Sequence, residues 1–245
     1  MDSIGTIFYF VLLLILILIG IGIFTQLKSI IVLFFQINNG SIVKEKIEIG
    51  KYCLIQGIVQ PEAETFISPI AQKSCVYYKT FIEEYHPKQI PKTILDKEEV
   101  APFSIRSNQL SITIQASAPV EESSLQVFVS QIKKTISYFS KADSKLKEQL
   151  IHLGIDVSKY ESLTINLSVF ESSLSVGEQV YLLAFLNESI LATNTINTRE
   201  RSTTIYISES IPKLKTNIFD SFLVNIGLFL GFAVFGIGVA YLIAL

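Results

Sequence analysis

The chain has 245 residues, a formal net charge of −2 and a hydrophobic fraction of 49%. Its acidic and basic residues nearly balance and no basic tract stands out, which argues against nucleic acid as a partner and against an acidic tail for a cationic one. A mean hydropathy of +0.47 is high for a soluble domain, and the excess sits at the two ends.

After a short tail (1–6), the run from Ile7 to Phe24, "IFYFVLLLILILIGIGIF", carries no charge. At about 1.5 Å per residue it nearly spans a hydrocarbon core of roughly 30 Å, so a transmembrane helix is expected over 7–28. A cleaved signal peptide is the competing reading. It is disfavoured because only Asp2 is charged before the run and no small-x-small site follows it. Residues 29–50, including "SIIVLFFQI", read as an interfacial connector.

From 51 to 212 the pattern changes to short alternating runs separated by turn signals. "YCLIQGIV" (52–59) is a strand in which Gly57 marks a bulge or a close backbone approach. Ser68-Pro69 is a turn that ends a strand, since proline cannot donate to a central ladder. The following run places Cys75, Tyr77 and Phe81 on one face and Val76, Tyr78 and Ile82 on the other. With both faces apolar near its start, this strand is expected to be central and covered on both sides, leaving the core at Glu83-Glu84.

"QLSITIQA" (109–116) alternates as a half-buried strand. "LQVFVSQIKKTISYF" reads either as two strands or as a poor helix, and its β-branched and aromatic content favours strands. "DSKLKEQLIHLGI" (143–155) predicts a helix, with Leu146, Leu150 and Leu153 at helical spacing, Asp143 or Ser144 as N-cap and Gly154 as the stop. "TINLSVF", "VYLLAFL" and "TTIYISE" are further strands. The uncharged run Phe222–Leu245 predicts a second transmembrane helix within 217–245. Gly227, Gly231 and Gly238 share one stripe there, on which a second span or a second copy could pack.

No catalytic motif is present: no nucleophile elbow, phosphate loop or dinucleotide fingerprint. Two cysteines and two histidines without C-x-x-C spacing argue against zinc. His86 reads as a turn residue and His152 as a helix surface residue. The pairs Glu83-Glu84 and Glu98-Glu99 put neighbouring carboxylates on opposite strand faces, so neither forms a two-carboxylate site alone. Cys53 and Cys75 read as buried thiols, with a disulfide as the alternative in an oxidising compartment. No cofactor is expected.

The order of several blocks resembles the GIDE-type, or beside-a-membrane, domain of the mitochondrial membrane-anchored E3 ubiquitin ligases and their prokaryotic relatives. "IQGIVQPEAETFISPIAQKSCVYYKTFIEEY" (55–85) is similar to that domain's opening, and "APFSIRSNQLSITI" (101–114) to its next strand pair. "LKEQLIHLGI" (146–155), "SVFESSLSVGEQVYLLAF" (168–185) and "ISES" (207–210) are similar to its helix, its Glu and Gly-acidic turn with the strand beyond, and its end. Residues 117–142 stand as an insertion. Ser107 and Asn108 replace an Asp and Gly often found there, and Ala184 a usual glycine. The RING finger of the ligases, a cross-brace of eight Cys/His ligands, has no counterpart in these residues.

The resulting expectation is an α+β, mostly β fold: one membrane-proximal β-rich domain with a short helix, flanked by two transmembrane helices. Gly57, Ser68, Pro69, Cys75, Tyr77, Tyr78 and Gly177 are expected to be structural. The implied function is a non-catalytic, membrane-anchored scaffold or binding module, partnered by the bilayer and an unidentified protein near it, with homo-oligomerisation through the second span as an option. The alternatives are a component of a ubiquitin-type or stress-response pathway acting with a RING partner in trans, and a membrane-associated hydrolase. The expected localisation is integral to a membrane. Lys28, Lys213 and Lys215 favour a cytoplasmic domain by the positive-inside rule. The resemblance implies the intermembrane space instead.

Overall fold

The computed structural model describes residues 20–21, 37, 50–108, 110–116, 125–129, 131–136, 144–160, 166–198, 205–220, 223–224, 227 and 231. The chain divides into two compact units, one of residues 1–40 with 211–245 and one of 41–210. In the second unit the strands are β1 (Lys51–Pro61), β2 (Phe66–Ile67), β3 (Ser74–Tyr85), β4 (Lys92–Val100), β5 (Phe103–Arg106) and β6 (Ser111–Gln115). After them come β7 (Leu125–Phe128), β8 (Gln131–Ile136), helix α1 (Ser144–His152) and a 3₁₀ turn at Val157–Tyr160. The unit closes with β9 (Asn166–Ser175), β10 (Gln179–Leu186), a short helix α2 (Glu188–Thr193), β11 (Thr195–Asn197) and β12 (Ile205–Ser208).

Two sheets result. The larger has the order β11-β6-β5-β1-β10-β12-β7, and the smaller β2-β3-β9-β8 with β4 also on β3. β3 is central, as its two apolar faces predict: β9 runs along one edge, while β2 and then β4 occupy the other. The main core lies on the larger sheet and takes in Val76, Tyr77, Val100 and Leu174 from the smaller one. A second core covers the opposite face of the smaller sheet, where Leu146 and Leu150 of α1, Val157 and Tyr160 of the 3₁₀ turn, and Ile70 pack on Ile82, Leu167 and Val169. Those α1 leucines are the ones that the helical spacing picks out, and Gly154 ends the helical segment at a φ of +79°.

The chain crosses from the smaller sheet to the larger at Val176-Gly177, where Gly177 has a φ of +80° that a side chain would strain. Its amide donates to Val59 O at 2.9 Å, tying the corner to β1. Of the two readings of Gly57, the structure shows the close approach. β1 stays in register with β10 there, and an added Cβ would lie 2.6 Å from Ile105 Cγ2 and 2.8 Å from Arg106 O. The segment read as an insertion is woven into both sheets, since β7 pairs with β12 and β8 with β9. Helix α2 has no signal in the apolar spacing: Asn187 caps it, its side chain accepting from Ile190 N at 2.9 Å.

The expectation of two flanking transmembrane helices is corrected. Among the described residues no helix is long and apolar enough to cross a membrane. This overturns the transmembrane, multi-pass and integral-membrane readings, leaving a mostly β architecture with short helices. At about 1.5 Å per residue, α1 and α2 reach only about 14 and 9 Å. The helical residues 211–220, which overlap the start of the expected second span, are amphipathic. Leu214 and Ile218, one turn apart, are buried, whereas Pro212, Thr216 and Asp220 are exposed. The remaining parts of the two apolar runs, Gly238 included, lie outside the described residues.

Candidate functional site

Three groupings of polar and aromatic side chains centre on β3. The first is interior. Thr80 and Glu171 are register partners on β3 and β9 and point to the face covered by α1. Ser68-Pro69 opens a tight turn in which Lys73 N donates to Ser68 Oγ at 3.2 Å and Gln72 adopts a left-handed φ of 56°. The turn aims two consecutive amides inward: Ile70 N and Ala71 N each donate to a Glu171 carboxylate oxygen at 2.7 Å. Thr80 Oγ1 donates to the same carboxylate at 3.0 Å. From α1, Gln149 Nε2 donates to Ile70 O at 3.0 Å. Glu171 is 1% exposed, and its carboxylate is met by three oriented donors.

Cys75 adjoins this clamp. Burial, and then the Glu171 charge, push its thiol up to about 11, so at neutral pH it is the unreactive SH form. Cys53 and Cys75 are both free and buried, as the thiol reading expects. Tyr77 Oη donates to Glu98 Oε1 at 2.9 Å, and burial followed by the Glu98 charge raises its phenol. Tyr78 meets the Phe66 ring edge-on at 6.0 Å and lies under Lys97 Nζ.

The second grouping lies where β3 leaves the core. Glu84 accepts from Tyr160 Oη at 2.6 Å and pairs with His86 Nε2 through its other oxygen. The Tyr160 hydrogen bond is the main cause that holds the Glu84 carboxyl below its ordinary value. Burial and this same carboxylate raise the Tyr160 phenol. The constellation ties the strand end to the 3₁₀ turn. Among the described residues no cluster of three or more His, Cys, Asp and Glu could hold a metal ion.

The third grouping is a surface. On the face of the smaller sheet opposite α1, Phe81 and Phe170 stand in register with ring centroids 6.2 Å apart. Both are half-buried, and neither belongs to the two cores. Asp96 of β4 is the register partner of Phe81, and Lys133 of β8 that of Phe170. Lys133 Nζ lies 5.1 Å from the Phe170 ring centroid, and Lys79 Nζ lies 3.9 Å from Asp96. An aromatic centre with a charged rim is the composition of a recognition patch.

Sequence reasoning therefore finds the turn at Ser68-Pro69 and the strand bearing Cys75, Tyr77 and Tyr78, but not the carboxylate that joins them. The signal was available, since Glu171 continues the buried parity of Leu167 and Val169. Phe170, Asp96 and Lys133 were also missed, because their coming together needs the pairing order of four strands. Gly227 and Gly231 are exposed and helical, and an added Cβ at either would meet nothing within 4 Å.

Comparison with protein-family models, curated proteins and solved structures finds no match.

Proposed function

We propose that the chain is a non-catalytic binding module that recognises a protein partner through the end of the smaller sheet's face opposite α1 that lies beyond the buried Val100–Tyr77–Leu174 row. The observation that carries this is the Phe81–Phe170 pair, aromatic surface left partly exposed outside both cores and rimmed by Asp96, Lys79 and Lys133. Large side chains outside a core contribute little to folding, whereas at an interface they are efficient contacts. The polar groups inside the domain serve the fold, since the Glu171 carboxylate accepts two backbone amides and a hydroxyl. Burial and the Glu171 charge keep the Cys75 thiol protonated at neutral pH, so this residue is read as structural.

The order of the blocks similar to GIDE-type domains supports the same reading, since those domains accompany a catalytic RING rather than perform its chemistry. Recognition through this face requires no membrane span. Its test is the Phe81→Ala/Phe170→Ala double variant. Loss of a stoichiometric protein partner on co-purification is expected, with an unfolding midpoint close to that of the parent. Retention of that partner at undiminished yield would refute the assignment.

A further inference from the structure

We propose that the turn joining β3 to β4 docks on an anionic lipid surface, with Ile90 entering the headgroup layer while Lys88 and Lys92 meet the phosphates. This contact is separate from the aromatic patch and does not depend on it. The turn reads "HPKQIPK" (86–92) and holds two lysines and no carboxylate. Ile90 at its tip is 90% exposed, against 39% to 62% for the other exposed large apolar side chains among the described residues. Further along β4, Ile94 and Leu95 pack on the second core, so apolar burial is at hand and Ile90 stays out of it. An exposed isoleucine alone is ordinary on a protein surface; this one is fixed in place and flanked by charge of one sign.

The tip is held out from the sheet. Pro87 and Pro91 fix φ on either side of it, Gln89 N donates to His86 O at 3.2 Å, and Lys88 sits at a left-handed φ of 64°. Below it, His86 pairs with Glu84, which also accepts from Tyr160 Oη, so the base of the turn is tied to the 3₁₀ turn. The two carboxylates nearest the tip along β3 are thereby engaged. Glu83 accepts from Tyr85 Oη, and Glu84 has Tyr160 and His86, with the Lys92 charge as a further stabilising cause. The ion pairs of β3 and β4 among the described residues use Lys79, Lys97 and His86; Lys88 and Lys92 enter none of them. A turn ordered in advance loses little conformational freedom on contact.

The shape and chemistry of the tip select a lipid surface. A specific protein contact takes about 800 Å² from each partner, more than one hairpin turn presents. Nucleic-acid recognition calls for free aromatic or guanidinium groups, and the turn's one ring, His86, is held by Glu84. A bilayer asks only for an apolar side chain that reaches the acyl boundary and for cations at phosphate level, with no shape fit. One isoleucine and two lysines make a weak contact, so docking is reversible and falls with salt.

The chain has no tryptophan, so Ile90→Trp makes the tip its sole indole reporter. The full-length variant is mixed with phosphatidylserine–phosphatidylcholine vesicles whose acyl chains carry bromine. Indole emission is expected to shift to the blue and to be quenched, to recover in high salt, and to stay unchanged with pure phosphatidylcholine. The reporter reads position 90 itself, whatever else of the chain meets the vesicle. An Ile151→Trp reporter, at an exposed position of α1, should show neither change. Adding Lys88→Gln or Lys92→Gln to Ile90→Trp should weaken apparent binding about fivefold each, and the two together about 25-fold. All these side chains are exposed, so the variants are expected to fold as the parent does. Equal quenching with pure phosphatidylcholine, quenching untouched by the double lysine change, or quenching no greater at position 90 than at position 151 would each overturn the proposal. So would an emission shift that a co-purifying protein produces and brominated lipid leaves unquenched, which would assign the tip to a protein. None of these outcomes bears on Phe81 and Phe170, whose double variant is read by co-purification.

Discussion

Thr80 and Glu171 face each other directly across β3 and β9, and the Thr80 hydroxyl donates to the Glu171 carboxylate at 3.0 Å in the buried interior. That bond is one of three that orient a charge whose other partners are the amides of Ile70 and Ala71. The turn at Ser68-Pro69 is thereby anchored to the central strands rather than left as a surface excursion. Removing the carboxylate would leave two amides without their acceptor.

Glu171→Ala is accordingly expected to cost about 3 to 5 kcal/mol, the sum of one buried and one partly buried donor left unsatisfied and a small cavity. Glu171→Gln keeps one acceptor oxygen but turns an NH₂ towards an amide donor, and should cost about 2 to 3 kcal/mol. Thr80→Val loses a single donor and should cost about 1 to 2 kcal/mol. Urea unfolding of the three variants measures the order; a Glu171→Gln protein as stable as the parent would show that the carboxylate charge contributes nothing.

Cys75 predicts an alkaline transition. Its folded-state value is raised from 9.0 to about 11, so the folded chain keeps a proton that the unfolded chain releases. The resulting stability is fully present below pH 9 and is lost as the pH rises through about 11. The loss should be about 2 kcal/mol across that window. Cys75→Ala should flatten the profile there, as measured by urea unfolding at stepped pH. At pH 7.5 the native thiol should also react with a soluble disulfide reagent far more slowly than in denaturant.

Gly57 leaves no room for a side chain against β5. Gly57→Ala forces a Cβ to within 2.6 Å of Ile105 Cγ2 and 2.8 Å of the Arg106 carbonyl, where backbone cannot easily yield. The expected cost is about 1 to 3 kcal/mol. Combining it with Ile105→Ala, which relieves the nearer contact but not the carbonyl, should recover part of that cost in the double-mutant cycle.

At the end of β3, Tyr160→Phe removes the main donor to Glu84. Because the folded-state value of Glu84 is depressed, its contribution is present above the unfolded value of about 4.3 and disappears as the pH falls below it. The variant should therefore be less stable than the parent by about 1 kcal/mol at pH 7, the pair being partly solvated. The difference should shrink towards pH 3 in thermal unfolding scans.

Much of this architecture could be read from alternation alone. β3, β6, β9 and β12 coincide with period-2 runs, β10 with a continuous apolar run and α1 with its leucine spacing, because burial of one or two faces imposes those patterns. The flanking helices were expected from apolar content, which measures length and hydropathy but not the amphipathic pairing of Leu214 with Ile218 among charges. The clamp was half legible: Ser68-Pro69 announces a turn, but which carboxylate it would meet, some hundred residues later, depends on β3–β9 register. The aromatic patch was not legible, since Phe81 and Phe170 look like core residues until the strand order shows the main core reaching that face only at the Val100–Tyr77–Leu174 row.

The most direct test of the binding-module reading is site-specific crosslinking in native cells, with a photoreactive phenylalanine analogue at position 170 and, as reference, at position 90, where Ile90 is 90% exposed on a turn. The account predicts a discrete polypeptide adduct from position 170, either at twice the chain mass or with another protein, that is absent from position 90 and is lost when Phe81→Glu is added. Equal, diffuse labelling from the two positions, or an adduct indifferent to Phe81→Glu, would contradict it.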